Sequence, residues 1–184
     1  MEPHIAVAQI IGYIGVAGSL LLYVGKTRGQ ILLYKFLLDA LWFVNLLLIG
    51  GYTGAVLNFI CMGRELVFYQ RGRKAWASHR VWLFVFLALT LLSPTFEWIK
   101  LGALTWPPVL PAIGSLIAVV SFYSERTSAM RLLGFLAQIF WLIYGIILDN
   151  KSSIVCGVLT LLSALIGLLR EWIAKHRGAK HLSQ

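Results

Sequence analysis

The chain has 184 residues, a formal net charge of +9 and a mean hydropathy of +0.82; 59% of it is hydrophobic and only 12% charged. Soluble domains carry about 25% charged residues, so a soluble globular fold is excluded and an all-α integral membrane protein is expected. In such a chain basic residues gather in cytoplasmic loops, so the positive charge points to membrane topology, and nucleic acid is not an expected partner.

The first residues, Met1-Glu2-Pro3-His4, lack the basic n-region of a signal peptide, so the first apolar block reads as a retained helix. Apolar blocks lie at roughly 6–25, 31–49, 52–70, 79–95, 108–124, 129–148 and 152–172. About 20 apolar residues span a bilayer as a helix, which predicts seven transmembrane helices. The fourth block is interrupted near its end. Its uninterrupted run, Val81 to Ser93, rises about 20 Å, and Pro94 is expected to break it. Thr95–Trp106 then reads as an outer interfacial segment anchored by Trp98 and Trp106. Pro107, Pro108 and Pro111 open the fifth span. Cys61 and Cys156 fall inside apolar blocks and read as free core thiols. The four histidines, His4, His79, His176 and His181, are terminal or in loops. No metal spacing, nucleophilic triad or phosphate loop is present, so no metal, no cofactor and no enzymatic activity are expected.

Charge placement sets the orientation. With the N-terminus outside and seven crossings, the inner segments sum to +10, the outer ones to −1, and Lys35, Asp39, Arg64 and Glu65 cancel within the spans. Basic residues concentrated on one side satisfy the positive-inside rule. The expectation is therefore a multi-pass protein of the bacterial inner membrane, N-terminus outside and C-terminus cytoplasmic.

A shift of 99 residues maps the chain onto itself without a gap: Gly15 falls on Gly114, Phe36 on Phe135, Leu37 on Leu136, Trp42 on Trp141 and Arg71 on Arg170. Two parallel three-helix repeats joined by a linker helix follow, a 3+1+3 layout. The predicted units are a first repeat at 5–71, then a cytoplasmic loop, linker helix and interfacial segment at 72–107. A second repeat at 108–173 and a basic cytoplasmic tail at 174–184 complete the chain. Parallel repeats are one of the internal symmetries of secondary transporters.

Helical spacing places Asp39, Trp42 and Asn45 on one face of the second span and Gln138, Trp141 and Tyr144 at the same positions of the sixth. The third span shows Gly54, Asn58, Cys61 and Glu65; the seventh shows Ser153, Gly157, Thr160 and Ala164. Polar stripes repeated in an apolar chain are expected to face a cavity or the bundle interior. Trp42 lies about 17 Å from the inner surface and Asn58 about 18–20 Å, near the midplane where secondary transporters hold substrate. The substrate-binding candidates are Trp42, Asn58, Trp141, Asn45, Tyr144 and Gln138. Lys35, Asp39, Arg64 and Glu65 have no charged counterpart in the second repeat. They read as an inner gate or a proton or anion site, with Asp39/Arg64 and Lys35/Glu65 as the expected pairs, or as structural ion pairs with a snorkelling arginine.

A tryptophan on the second helix of a three-helix unit, with an asparagine sixteen residues later on the third, resembles the SWEET, SemiSWEET and PQ-loop transporter superfamily. The chain also resembles the YgjV-type bacterial inner-membrane proteins, through Leu110-Pro111-Ala112-Ile113-Gly114-Ser115, Trp141-Leu142-Ile143-Tyr144-Gly145, Val56-Leu57-Asn58 and Gly167-Leu168-Leu169-Arg170. The SWEET resemblance implies a seven-span, N-out fold with Trp42, Trp141 and Asn58 around a central pocket. The chain departs from that pattern at Gly157, the second asparagine position. It also departs in the first span, which has Gly12, Gly15 and Gly18 in place of a proline–glutamine pair.

The expected function is a small secondary transporter or facilitator for a polar small molecule, sugar-like or another small metabolite. The alternative is a receptor-like membrane protein that binds an anionic ligand without transport. The partners expected are the lipid bilayer and a small-molecule substrate; a homo-oligomer stays open.

Overall fold

Apolar runs of 15 to 21 residues, separated by glycine, proline and basic pairs, form the long helices. The computed structural model describes residues 3–22, 28–103, 105–123, 127–162 and 165–166. Among them are α1 (Pro3–Leu22), α2 (Arg28–Leu48), α3 (Tyr52–Gln70), a short α4 (Ala75–Ser78), α5 (Val81–Leu101), α6 (Val109–Tyr123), α7 (Thr127–Ile147) and α8 (Lys151–Leu162), and no strand. The basic tail, the Gly167–Arg170 motif, and Ser163 and Ala164 lie outside the described residues. Among the described residues one helix, α5, is long and apolar enough to cross a membrane; Val109–Ser121, Leu132–Ile147 and Lys151–Leu162 are shorter apolar helices.

The 99-residue register reappears in backbone geometry at the turns that follow α2 and α7. Gly51 N–H donates to the Leu46 carbonyl at 2.9 Å and Gly50 N–H to Leu47 at 3.4 Å. The equivalent bonds are Asn150 N–H to Gly145 at 2.9 Å and Asp149 N–H to Ile146 at 3.1 Å. Both turns are the Schellman closure of a helix, which requires a left-handed residue at its centre. That residue is Gly50 (φ 81°) in one copy and Asp149 (φ 48°) in the other, aspartate being among the few side chains that tolerate this region. The two turns lie at the same end of the molecule, since a methyl on Gly51 would meet Leu148 at 2.8 Å and the Tyr144 hydroxyl at 3.3 Å. The two helical units therefore run parallel.

Packing repeats as well. α2 contacts both α1 and α3, and α6 contacts α7. Close approach of the first helix to the second depends on a glycine in each unit. A Cβ on Gly15 would come within 3.2 Å of Trp42, and one on Gly114 within 3.0 Å of Trp141. The units join along α3 against α6 and along α1 against α8, where Ser152 N–H donates to Gln9 Oε1 at 3.3 Å and the Cys156 thiol donates to Ser19 Oγ at 3.3 Å. Away from the turns, Arg71 at the end of α3 donates to the Tyr123 carbonyl at 2.8 Å and lies 4.0 Å above its ring.

The structure corrects the reading of the fourth apolar block. α5 continues through Pro94 to Leu101, so Thr95–Leu101 is helix and not a separate interfacial segment. Pro94 removes the N–H that would bond the Thr90 carbonyl; the Ser93 hydroxyl donates to that carbonyl instead, at 2.8 Å. Replacing a lost backbone donor with a neighbouring hydroxyl is how a helix in a membrane protein accommodates proline. The continuous helix brings Glu97, assigned from sequence to the outer segment, into the interior at 7% exposure. Its Oε2 accepts the Thr53 N–H at 2.8 Å, in the first turn of α3 where backbone donors lack helical partners and a negative charge meets the helix dipole favourably. α5 packs on both α3 and α6 and so braces the two units together. Glu97→Ala is expected to leave the buried Thr53 N–H unpaired and to cost about 1–3 kcal/mol. Glu97→Gln, which keeps an acceptor, should cost clearly less; thermal unfolding in detergent measures the difference.

Candidate functional site

Between the two units lies a cavity of about 170 Å³, lined from α1, α2, α3, α6, α7 and α8. Its wall follows the internal repeat. Ser19 and Ala118, Lys35 and Gly134, Leu38 and Ala137, Asp39 and Gln138, Trp42 and Trp141, and Cys61 and Thr160 are six 99-residue pairs, and both members of each pair line it. They account for twelve of its eighteen lining residues, so the cavity is a feature of the pseudo-symmetry rather than a packing gap at one helix.

Of the substrate-binding candidates, Trp42, Asn58, Trp141 and Gln138 line the cavity. The indoles stand on opposite units, each backed by the glycine of its own first helix. Asn58 donates to the Gly54 carbonyl one turn earlier at 2.8 Å. Asn45 and Tyr144 do not line the cavity, a correction to the sequence reading. They share the helix faces of Trp42 and Trp141 but lie nearer the turns, where the helices converge. Asn45 is fully buried, donating to the Ala8 carbonyl at 2.7 Å and accepting from Asn150 Nδ2 at 2.8 Å. Tyr144 packs with Leu46 and Leu148, and its hydroxyl lies beside Glu97 without reaching hydrogen-bond geometry. Together these residues close the cavity at the turn end.

The four charged candidates group at the other end of the cavity, with different partners from those expected. Lys35 pairs with Asp39 one turn later on α2, and Arg64 Nη2 bonds Glu65 Oε1 at 2.6 Å on α3. Lys35 and Asp39 are one turn apart on one helix face, whereas Arg64 and Glu65 are adjacent in the chain and meet because the long arginine side chain reaches the neighbouring carboxylate. Lys35, Asp39 and Arg64 line the cavity; Glu65 does not, since position 64 rather than 65 continues the Asn58–Cys61 face inward. Asp39, Arg64 and Glu65 are each 1% exposed.

Ser19 on α1, Ser115 on α6 and Cys156 on α8 line the cavity without having been sequence candidates, whereas Ser153 on α8 belongs to the polar stripe expected to face a cavity. Ser19 faces Ala118 in the 99-residue register, so the repeat carries no polar signal for it. Ser115 faces Val16 in that register, so no repeated polar signal marks it.

The sequence matches the Imp-YgjV family of bacterial inner membrane proteins over residues 6–175. The chain belongs to this family. As a YgjV-family member it is a bacterial inner membrane protein, and the match takes in both helical units, α5 between them and every residue that lines the cavity. No curated protein and no solved structure matches the chain.

Proposed function

We propose that this YgjV-family protein is a small secondary transporter or facilitator that passes a polar small molecule through the cavity between its two units. The carrying observation is the pseudo-symmetric wall: six 99-residue pairs around one cavity in a parallel two-unit bundle. In this reading the seven long helices cross the membrane in a SWEET-like 3+1+3 arrangement with the N-terminus outside. The turn end is the outer side, and the end with Lys35 and Arg64 is cytoplasmic. Substrate lies between Trp42 and Trp141, with Asn58 and Gln138 as hydrogen-bonding groups. The two units rock about it, as repeats do in transporters that hold substrate near the midplane. At about 170 Å³ the cavity is below the roughly 300–1,000 Å³ of drug-sized sites, which favours a metabolite of a few carbons to a single ring.

The test is uptake of candidate solutes into liposomes holding the wild type or the double variant Trp42→Ala plus Trp141→Ala. Loss of both indoles should abolish saturable uptake while leaving the protein folded, because neither ring is a fully buried core group. Equal uptake by both proteins would remove the cavity from the transport path. Ligand stabilisation with no flux at all would favour the receptor-like alternative.

A further inference from the structure

The buried polar atoms without a hydrogen-bond partner on residues that line this cavity include Asp39 Oδ2, on α2 of the first unit, and Ser115 Oγ, on α6 of the second. Both residues are 1% exposed. Buried polar atoms are nearly always satisfied, so two open positions on residues that line one cavity from opposite units describe a place for something that bonds to both. The charges around them restrict what that is. Asp39 Oδ1 is occupied by Lys35, and Arg64 is bonded to Glu65, so the formal charge of the cluster is zero. The equivalent positions on the second unit, Gly134 and Gln138, are uncharged, as are the remaining lining residues. An anion would set negative charge against the open carboxylate oxygen and leave it unsatisfied. A cation would compete with Lys35 for a carboxylate already neutralised. In a site of low dielectric either excess charge is costly. A neutral group that donates a hydrogen bond satisfies Asp39 Oδ2 and disturbs neither pair.

We propose that the cavity binds a small electroneutral solute rich in hydrogen-bond donors, anchored by Asp39 on one unit and Ser115 on the other. Because the anchors belong to different units, the solute bridges the two bodies that rock. The inference rests on the transport reading for its cavity but makes a separate claim, about charge selection.

The experiment uses the full chain in detergent and measures thermal stabilisation by two size-matched sets of probes: lactamide, lactate and 1-amino-2-propanol; and glucose, gluconate and glucosamine. The neutral member of at least one set should bind, with its charged analogues at least about tenfold weaker. Ser115→Ala should weaken the neutral probe about threefold to tenfold, the value of one hydrogen bond, without changing the charge ranking. Asp39→Asn frees Lys35 from its counter-ion and should move the preference to the anionic member of the same set. The Ser115 variant keeps the test decisive if Asp39→Asn does not fold. Tighter binding of a charged member to the wild type, binding of no probe, or a Ser115→Ala protein with unchanged affinity would each overturn the proposal. Flux of the same probes separates the two claims. Neutral-selective binding without flux keeps the site and rejects transport; flux that prefers the charged members keeps transport and rejects the site.

Discussion

Arg64→Ala should be the most destabilising single change at the cavity, lowering unfolding free energy by about 3–5 kcal/mol, the usual cost of removing one partner from a buried ion pair. Arg64 and Glu65 are both 1% exposed and 2.6 Å apart, and Glu65 Oε2 already has no partner. Without the guanidinium, Glu65 would hold a carboxylate in the interior with neither oxygen compensated. The double variant Arg64→Met plus Glu65→Leu removes both charges with similar volume, and replacements of this kind are often neutral or stabilising. Unfolding measured in detergent should therefore find the double variant more stable than Arg64→Ala alone. The same two proteins separate the functional reading of the pair from the structural one. If the pair only holds α3 in place, solute flux survives in the double variant; if it forms and breaks during transport, flux is lost although the protein is stable. A double variant as unstable as Arg64→Ala would mean that Arg64 acts through contacts other than Glu65.

The helices, the 99-residue repeat and the two facing tryptophans were legible in the sequence because each leaves a periodic mark. Apolar blocks recur at helical length, and Gly15 with Trp42 returns as Gly114 with Trp141 because the same close packing is built twice. What the sequence did not disclose depends on depth and rotation. Asn45 and Tyr144 share a face with the tryptophans, but face alone does not say where along the helix a cavity ends, and they lie beyond its end. The spacing Asn58–Cys61 continues equally well to position 64 or 65, and one residue of rotation decides that Arg64 and not Glu65 meets the cavity. Pro94 looked like a helix end because sequence rules count the lost donor, whereas Ser93 supplies one from its side chain. Nothing in the sequence marks Asn150; only its contact with Asn45, 105 positions away in the chain, gives it a role.

That contact leads to the second large effect expected. Asn45→Ala should open the cavity toward the turn end, which the transport reading places outside. Asn45, Asn150 and Ser152 form a fully buried chain: Asn150 Nδ2 donates to Asn45 Oδ1 at 2.8 Å, and Ser152 Oγ donates to Asn150 Oδ1 at 2.8 Å. Asn45 reaches the Ala8 carbonyl on α1, so three helices and both units meet in one network. It has room only because position 12 is glycine, where a methyl would overlap the Ser152 hydroxyl and come within 2.8 Å of Asn45 Nδ2. Interhelical hydrogen bonds in membrane proteins are worth about 0.6 kcal/mol on average and up to about 1.7, so breaking this one should raise the open population about threefold to twentyfold. Cys61 and Cys156 line the cavity and report on it without any engineered residue. Their labelling by a membrane-impermeant maleimide added to the outside should quicken by that factor in Asn45→Ala. Asn150→Ala should produce a similar increase, although it keeps the Asn45 bond to Ala8 and loses the Ser152 bond, and the two together should give less than the sum, because the bond they share is lost only once. A fall in stability with no change in labelling would make the network a local brace and leave closure of the turn end to Leu46, Tyr144 and Leu148. Additive effects of the two substitutions would mean that the asparagines act separately and that the link between units lies elsewhere.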